Sequence, residues 1–186
     1  MRELNNWLTR SYHGVNEYAE QLRFSASFGL LNLTEGSVSQ IRRINLPIVR
    51  QFVPSLYLGF STGYFVGFNN LGSVNGSFIL TQSVVGAPIR SRFWTDAFGA
   101  PVQLIPNTTQ AFNSTLRPWY KAAASSGLPL FTAVYSFANI RALGITATMP
   151  LFEDLQPAPF FSLSPPSDVK TCFFVMHSFL VYTLNI

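Results

Sequence analysis

Charge is scarce in this chain. Aspartate, glutamate, lysine and arginine make up 11% of its 186 residues, under half of the roughly 25% usual in soluble domains. The formal charge is +4, but the cations are strung out singly from Arg2 to Lys170 and form one doublet, Arg42-Arg43. Nucleic-acid binders concentrate cations along one face or helix, so this distribution argues against that class of partner. Cysteine is scarcer still. Cys172 alone excludes an internal disulfide and a cysteine-built zinc site, and its apolar setting reads as that of a small buried residue. His13 and His177 stand far apart without carboxylates at ligand spacing, which argues against a metal centre or a Ser-His-Asp triad. Long apolar runs are missing too. "MRELNNWLTR" has no apolar core and is not a signal peptide. The C-terminal run "CFFVMHSFLVYTLNI" covers residues 172–186 and carries His177; it falls short of the roughly 20 residues that span a bilayer. A buried strand and a cut-off membrane segment both fit it, and no spanning helix is predicted.

What is present is core material. Hydrophobic residues are 48% of the chain, with 18 phenylalanines, enough for one domain with a sizeable interior and disorder confined to its ends. Leu4, Leu8, Tyr12, Val15, Ala19, Leu22 and Ala26 recur at helical spacing and predict a long amphipathic helix over 1–28. A second helix is predicted over 37–53, with Val38, Ile41, Ile44 and Ile48 on one side and Pro47 as a possible break. From residue 55 the period switches to two. "SLYLGF", "STG" and "YFVGF" read as a hairpin in which Leu56, Leu58 and Phe60 face one way and Gly63 turns the chain. "SFILT" (77–81), "IRSRFWT" (89–95), "PLFTAVYSF" (129–137) and the alternating 141–149 are further strands. The fold class is therefore α+β with a mainly antiparallel sheet. Beyond Pro150, "LQPAPFFSLSPPSD" reads as a proline-rich loop, and 153–186 as that loop plus an apolar tail, truncated or poorly ordered.

One stretch does not reduce to packing. In "FNSTLRPWYKAAASSG" a conspicuous cation, Arg117, precedes Pro118, Trp119 and Tyr120. Pro118 suits the first position of a short helix over 117–126, with the rings buried beneath it. Packing alone does not ask for the arginine. A guanidinium presents a planar fork of donors that matches a carboxylate, while Trp119 and Tyr120 offer further donors and exclude water. No nucleophile–base pair, phosphate loop or metal set accompanies it, and Asp96 stands alone in "WTDAFG". We therefore expect no catalysis and no cofactor.

With strands on both sides of "RPWYKAA", the chain resembles the Cache family of extracytoplasmic sensor domains, specifically the membrane-distal half of a double Cache domain. The matching pieces, in family order, are the long first helix, "LYLGFSTGYFVGF", "RFWTDAFG", "RPWYKAA", "AVYSF" and "LGITATMPLF". They cover roughly residues 1–152. The resemblance implies a PAS-like curved antiparallel sheet over 55–149, with a spine helix on one face and a ligand pocket on the other. It also implies a small-molecule sensor within a membrane-tethered receptor, facing the extracellular or periplasmic side, with the N-terminal helix as candidate dimer contact. A cyclase or kinase output would belong to the parent receptor, and we expect this chain to be a fragment of it.

By the same resemblance, ligand-binding positions are Arg117, Trp119, Tyr120, Phe112, Tyr135 and Phe137. Amino-acid-binding members carry a tyrosine five residues before the arginine, where this chain has Phe112. They also carry an aspartate after the position of Tyr135, where it has Phe137 and Ala138. A ligand ammonium would lack its counter-charge, and a buried unpaired charge is costly. The expected ligand is a carboxylate-bearing or amino-acid-like small molecule; the two departures count against a standard α-amino acid and leave room for a carboxylate without an amine. The alternative is a degenerate module with a structural or interaction role, in which Arg117 pairs with Glu153, Asp154 or a helix C-terminus. The family also continues past its "MPLF" strand into a glycine-containing strand and a second module, which "EDLQPAPFFSLSPPSD" does not resemble. Four N-x-S/T sequons, at Asn32, Asn75, Asn107 and Asn113, suit an extracellular surface.

Overall fold

The computed structural model describes residues 38–51, 55–70, 78–136, 143–151 and 172–179, together with Thr9, His13, Glu17 and Gln21. Of the helix predicted over 1–28, these four residues are helical and exposed. The apolar stripe of that helix, and the dimer contact expected of it, lie outside the described residues.

Helix α1, Val38–Gln51, follows from its apolar periodicity. Its most buried line is Ile41, Asn45 and Val49, with Leu46 beside it. Val38, Ile44 and Ile48 are only partly buried, so the inward face is rotated from the predicted stripe toward Asn45 and Val49. Pro47 does not stop the helix. It stands on the exposed side of the helix.

The strands are β1 (Ser55–Phe60), β2 (Phe65–Asn69), β3 (Ile79–Ser83), β4 (Ile89–Thr95), β5 (Pro101–Leu104), β6 (Gln110–Ala111), β7 (Leu130–Phe131), β8 (Tyr135–Ser136), β9 (Leu143–Leu151) and β10 (Cys172–Phe179). Between β6 and β7 lie a 3-10 turn, Ser114–Leu116, and helix α2, Pro118–Ser126. All strand pairs are antiparallel, and the sheet runs β5-β4-β3-β2-β1-β10-β9-β7, with β6 on β4 and β8 on β9. The fold is α+β, as predicted. The stretch expected as one strand over 129–137 is instead two short pieces, β7 and β8, both laid along β9.

Of the segment 153–186, expected as a proline-rich loop and an apolar tail, the described part is Cys172–Phe179, a strand in the middle of the sheet. It pairs with β1 on one side, Leu58 opposite Phe174, and with β9 on the other, Met149 opposite Phe174. Both partners satisfy its backbone groups, which a central strand requires. Of the two readings left open for the apolar run, residues 172–179 take the strand. It follows the "MPLF" strand in the sheet but contains no glycine. No helix among the described residues is long and apolar enough to cross a membrane.

Side chains alternate across the sheet, and each face has its own cover. Leu56, Leu58, Phe60, Tyr64, Val66, Phe68, Leu80, Ala147 and Met149 join Ile41, Leu46 and Val49 of α1 in one core. The opposite parity of β1 and β2 supplies Tyr57 and Phe65 to a smaller aromatic cluster with Phe112, Trp119, Tyr120 and Ala123. The RPWY segment therefore sits on the face away from the main core.

Candidate functional site

The site begins with the turn that carries Arg117. Asn113 caps the 3-10 turn, its side-chain oxygen accepting from the Thr115 backbone N–H at 2.9 Å and from the Thr115 hydroxyl at 2.7 Å. Ser114 is wholly buried. Its hydroxyl lies 3.2 Å from the Phe60 carbonyl and 3.0 Å from that of Tyr64, and its N–H donates to Gly63 O. These bonds clamp the segment to the β1–β2 hairpin. Arg117 then adopts an extended backbone, φ −84° and ψ 146°, because the proline that follows disfavours the helical region. Pro118 occupies the first helical position, where its missing N–H has no partner to lose. Helix α2 ends at Gly127, whose N–H caps Ala123 O.

Beneath the helix the rings interlock. Trp119 is 5.2 Å from Tyr57 and 5.9 Å from Tyr120 between centroids. Phe65 meets Tyr57 at 5.1 Å and Phe112 edge-on at 4.9 Å. Such offset and edge geometries are the favourable ones for aromatic quadrupoles. Trp119 and Tyr120 are both buried, in the same aromatic cluster as Phe112, the ring that Arg117 lies on.

Arg117 is half-buried, and its guanidinium carbon lies 4.5 Å from the Phe112 ring centroid. A second arginine reaches the same ring: the guanidinium carbon of Arg90 is 4.2 Å from that centroid. Arg90 is 7% exposed. Burial first, then the positive charges of Arg117 and Arg92, bring its pKa down from the ordinary guanidinium range to about 10. With its carboxamide turned so that the oxygen faces the guanidinium, Gln110 accepts from Arg90 Nε at 2.9 Å and from a terminal nitrogen as well. Arg92 shares this strand face two residues on, and burial lowers its pKa too.

On the far side, the Tyr135 hydroxyl hydrogen-bonds to Thr146 Oγ1. Burial pushes its pKa from 10.0 up to about 12, partly offset by that bond and by the Arg117 charge. Arg117 is thus close enough to sense both Arg90 and Tyr135. Of the acids, only Glu17 and Asp96 are among the described residues. Asp96 is committed to the β4–β5 turn, accepting from Phe98 N and Ala100 N at 2.8 Å each.

The structure thus brings together Phe112, Arg117, Trp119 and Tyr120, with Tyr135 nearby. Phe137 lies outside the described residues, as do Glu153 and Asp154, the partners considered for Arg117. Among the sequons, Asn32 and Asn75 are likewise outside. Asn107 is exposed in a turn at φ 57°, and Asn113 is half-buried with its carboxamide against Gly63. Tyr57 and Phe65 were available to sequence reasoning as the other parity of the predicted hairpin. Arg90 carried no signal beyond membership of a predicted strand. No group of three or more His, Cys, Asp or Glu that could hold a metal occurs among the described residues.

No family model matches the chain, and no curated protein matches it. Solved structures do. The ligand-binding domain of the amino acid chemoreceptor PctB of Pseudomonas aeruginosa PAO1, in complex with L-Gln, aligns with a TM-score of 0.51 at 16% identity, covering 93% of this chain and 48% of that one. The ligand-binding domain of the Campylobacter jejuni chemoreceptor Tlp3, in complex with 4-methylisoleucine, aligns with a TM-score of 0.54 at 10% identity, covering 93% and 52%. The sensory domain of Tlp3 (CcmL) gives 0.54, 10%, 93% and 53%. The chain spans about half the length of these structures. Its fold is that of chemoreceptor sensory domains, which agrees with the Cache resemblance carried by "RPWYKAA".

Proposed function

We propose that this chain is the small-molecule-sensing module of a membrane receptor, on the extracellular or periplasmic side, and that Arg117 anchors a carboxylate of its ligand. The observation that carries this reading is the mounting of Arg117. A clamped 3-10 turn, a proline-started helix and a cluster of buried rings hold a half-exposed guanidinium, with no acidic partner among the described residues. A packing residue needs no such support, whereas a bidentate anion anchor does. Ligand binding acts here by differential affinity: a ligand that favours one arrangement of α2 against the sheet shifts the population toward it. The module has no catalysis of its own in this reading, and it is one part of a larger receptor.

A second reading, a degenerate module that folds without a ligand, draws on one observation. Phe112 fills the space beside Arg117 with a ring that has no hydroxyl, and both arginines already lie on it.

Thermal melting of the whole chain against amino acids, amines and small carboxylates separates the two. The whole chain is needed because β10 supplies a central strand. A ligand at 100 times its Kd stabilises by about 2.7 kcal/mol. A carboxylate-specific shift that Arg117→Ala loses supports the sensor. A cooperative melt that no compound moves supports the degenerate module.

A further inference from the structure

We infer that the ligand of this site is a short dicarboxylate, with one carboxylate on Arg117 and the other on Arg90. This rests on the sensor reading and sharpens it. Arg90 is buried at 7% exposure, and a buried charge is tolerated when it is paired. Its partners among the described residues are neutral: the Gln110 carboxamide oxygen and the Phe112 ring. Its charged neighbours, Arg117 and Arg92, have the same sign. Among the described residues the cluster therefore holds cations together without a counter-charge, which an arriving anion supplies.

Two further features belong to the same place. Ser83 lies directly across the ladder from Arg90; it is 5% exposed, and its hydroxyl has no hydrogen-bond partner. An oxyanion at Arg90 takes the guanidinium donors that Gln110 leaves over, beside a strand position whose hydroxyl has no partner of its own. Both guanidinium carbons stand within 4.5 Å of one ring centroid, inside the reach of a single short dicarboxylate. An α-amino acid suits the cluster poorly, since Asp96, the acid described in the sheet region, is occupied in its turn, and three arginines repel an ammonium.

The test is calorimetric titration of the whole chain with glutarate, butyrate and L-glutamate. Glutarate is expected to bind about tenfold or more tightly than butyrate, the worth of a second charge-assisted contact, and more tightly than L-glutamate. Arg90→Gln, checked for folding by circular dichroism, should collapse the glutarate-to-butyrate ratio toward unity. Equal affinities in the unmutated chain, a ratio that survives Arg90→Gln, or a preference for L-glutamate each overturn the inference. Binding of butyrate without that ratio leaves the sensor reading standing and removes only the dicarboxylate. Binding of none of the three overturns the dicarboxylate, and the broader melting screen then decides the sensor reading separately.

Discussion

Trp119 lies against Gly59 so closely that a methyl group added at Gly59 would come within 2.5 Å of Trp119 Cη2 and 2.9 Å of Ser114 Cβ. The glycine next to the end of β1 is thus a seat for the indole beneath α2. Both obstructing residues are buried, and neither is the free end of a flexible side chain. Gly59→Ala is expected to destabilise the protein by about 2–3 kcal/mol through overpacking, read as a lower urea midpoint and altered Trp119 fluorescence. An unchanged midpoint would show that α2 is not pinned there.

Ser114 holds the turn before Arg117 to the hairpin. Ser114→Ala removes one buried hydroxyl bond while leaving the Phe60 and Tyr64 carbonyls their backbone donors, so the cost is expected near 1 kcal/mol. Any ligand that uses Arg117 should lose affinity in this variant too, since a displaced turn misplaces the guanidinium. A stability loss with unchanged affinity would separate the turn from the site.

Arg90 predicts the opposite sign. Replacing it with a methionine of similar length removes a desolvated cation that lacks a charged partner among the described residues. Arg90→Met should therefore stabilise the ligand-free protein by about 1 kcal/mol at neutral pH. Destabilisation of that size would mean that the contacts with Phe112 and Gln110 outweigh the burial of the charge.

Tyr135 and Arg90 make stability depend on alkaline pH in opposing ways. The folded protein holds the Tyr135 proton more tightly than the unfolded chain. Its contribution is therefore complete below pH 10 and lost as pH rises from 10 through about 12. Arg90 gives up its proton more readily when folded, so its penalty is complete below about pH 10 and relieved as pH climbs above it. Tyr135→Phe removes only the first effect. Its urea midpoint, relative to that of the unmutated chain, should be constant below pH 10 and rise between 10 and 12. A flat difference throughout would place the Tyr135 phenol in solvent.

Much of this architecture was legible in the residue pattern because its determinants are local. The period-two alternation of "SLYLGF" and "YFVGF" set the hairpin and the face its leucines occupy. Gly63, at φ +90°, made the turn that its neighbours cannot adopt cheaply. Pro118 after an arginine marked the start of α2 within a residue. The inward face of α1 was less legible, since Asn45 is polar yet buried at 1% exposure.

The chain by itself determined which segments are helix and strand over the hairpin, β4, α2 and β9, because periodicity, proline and turn glycine act within a few residues. Tertiary structure alone decided that the apolar tail becomes a strand between β1 and β9, since its partners on one side, Leu58 and its neighbours in β1, lie more than a hundred residues away. It alone decided that Arg90 joins Arg117 as well. Alternation puts Arg90 on one face of the sheet, but the burial of that face and the shared Phe112 ring come from a turn twenty residues later, folded back by bonds to a hairpin fifty residues earlier.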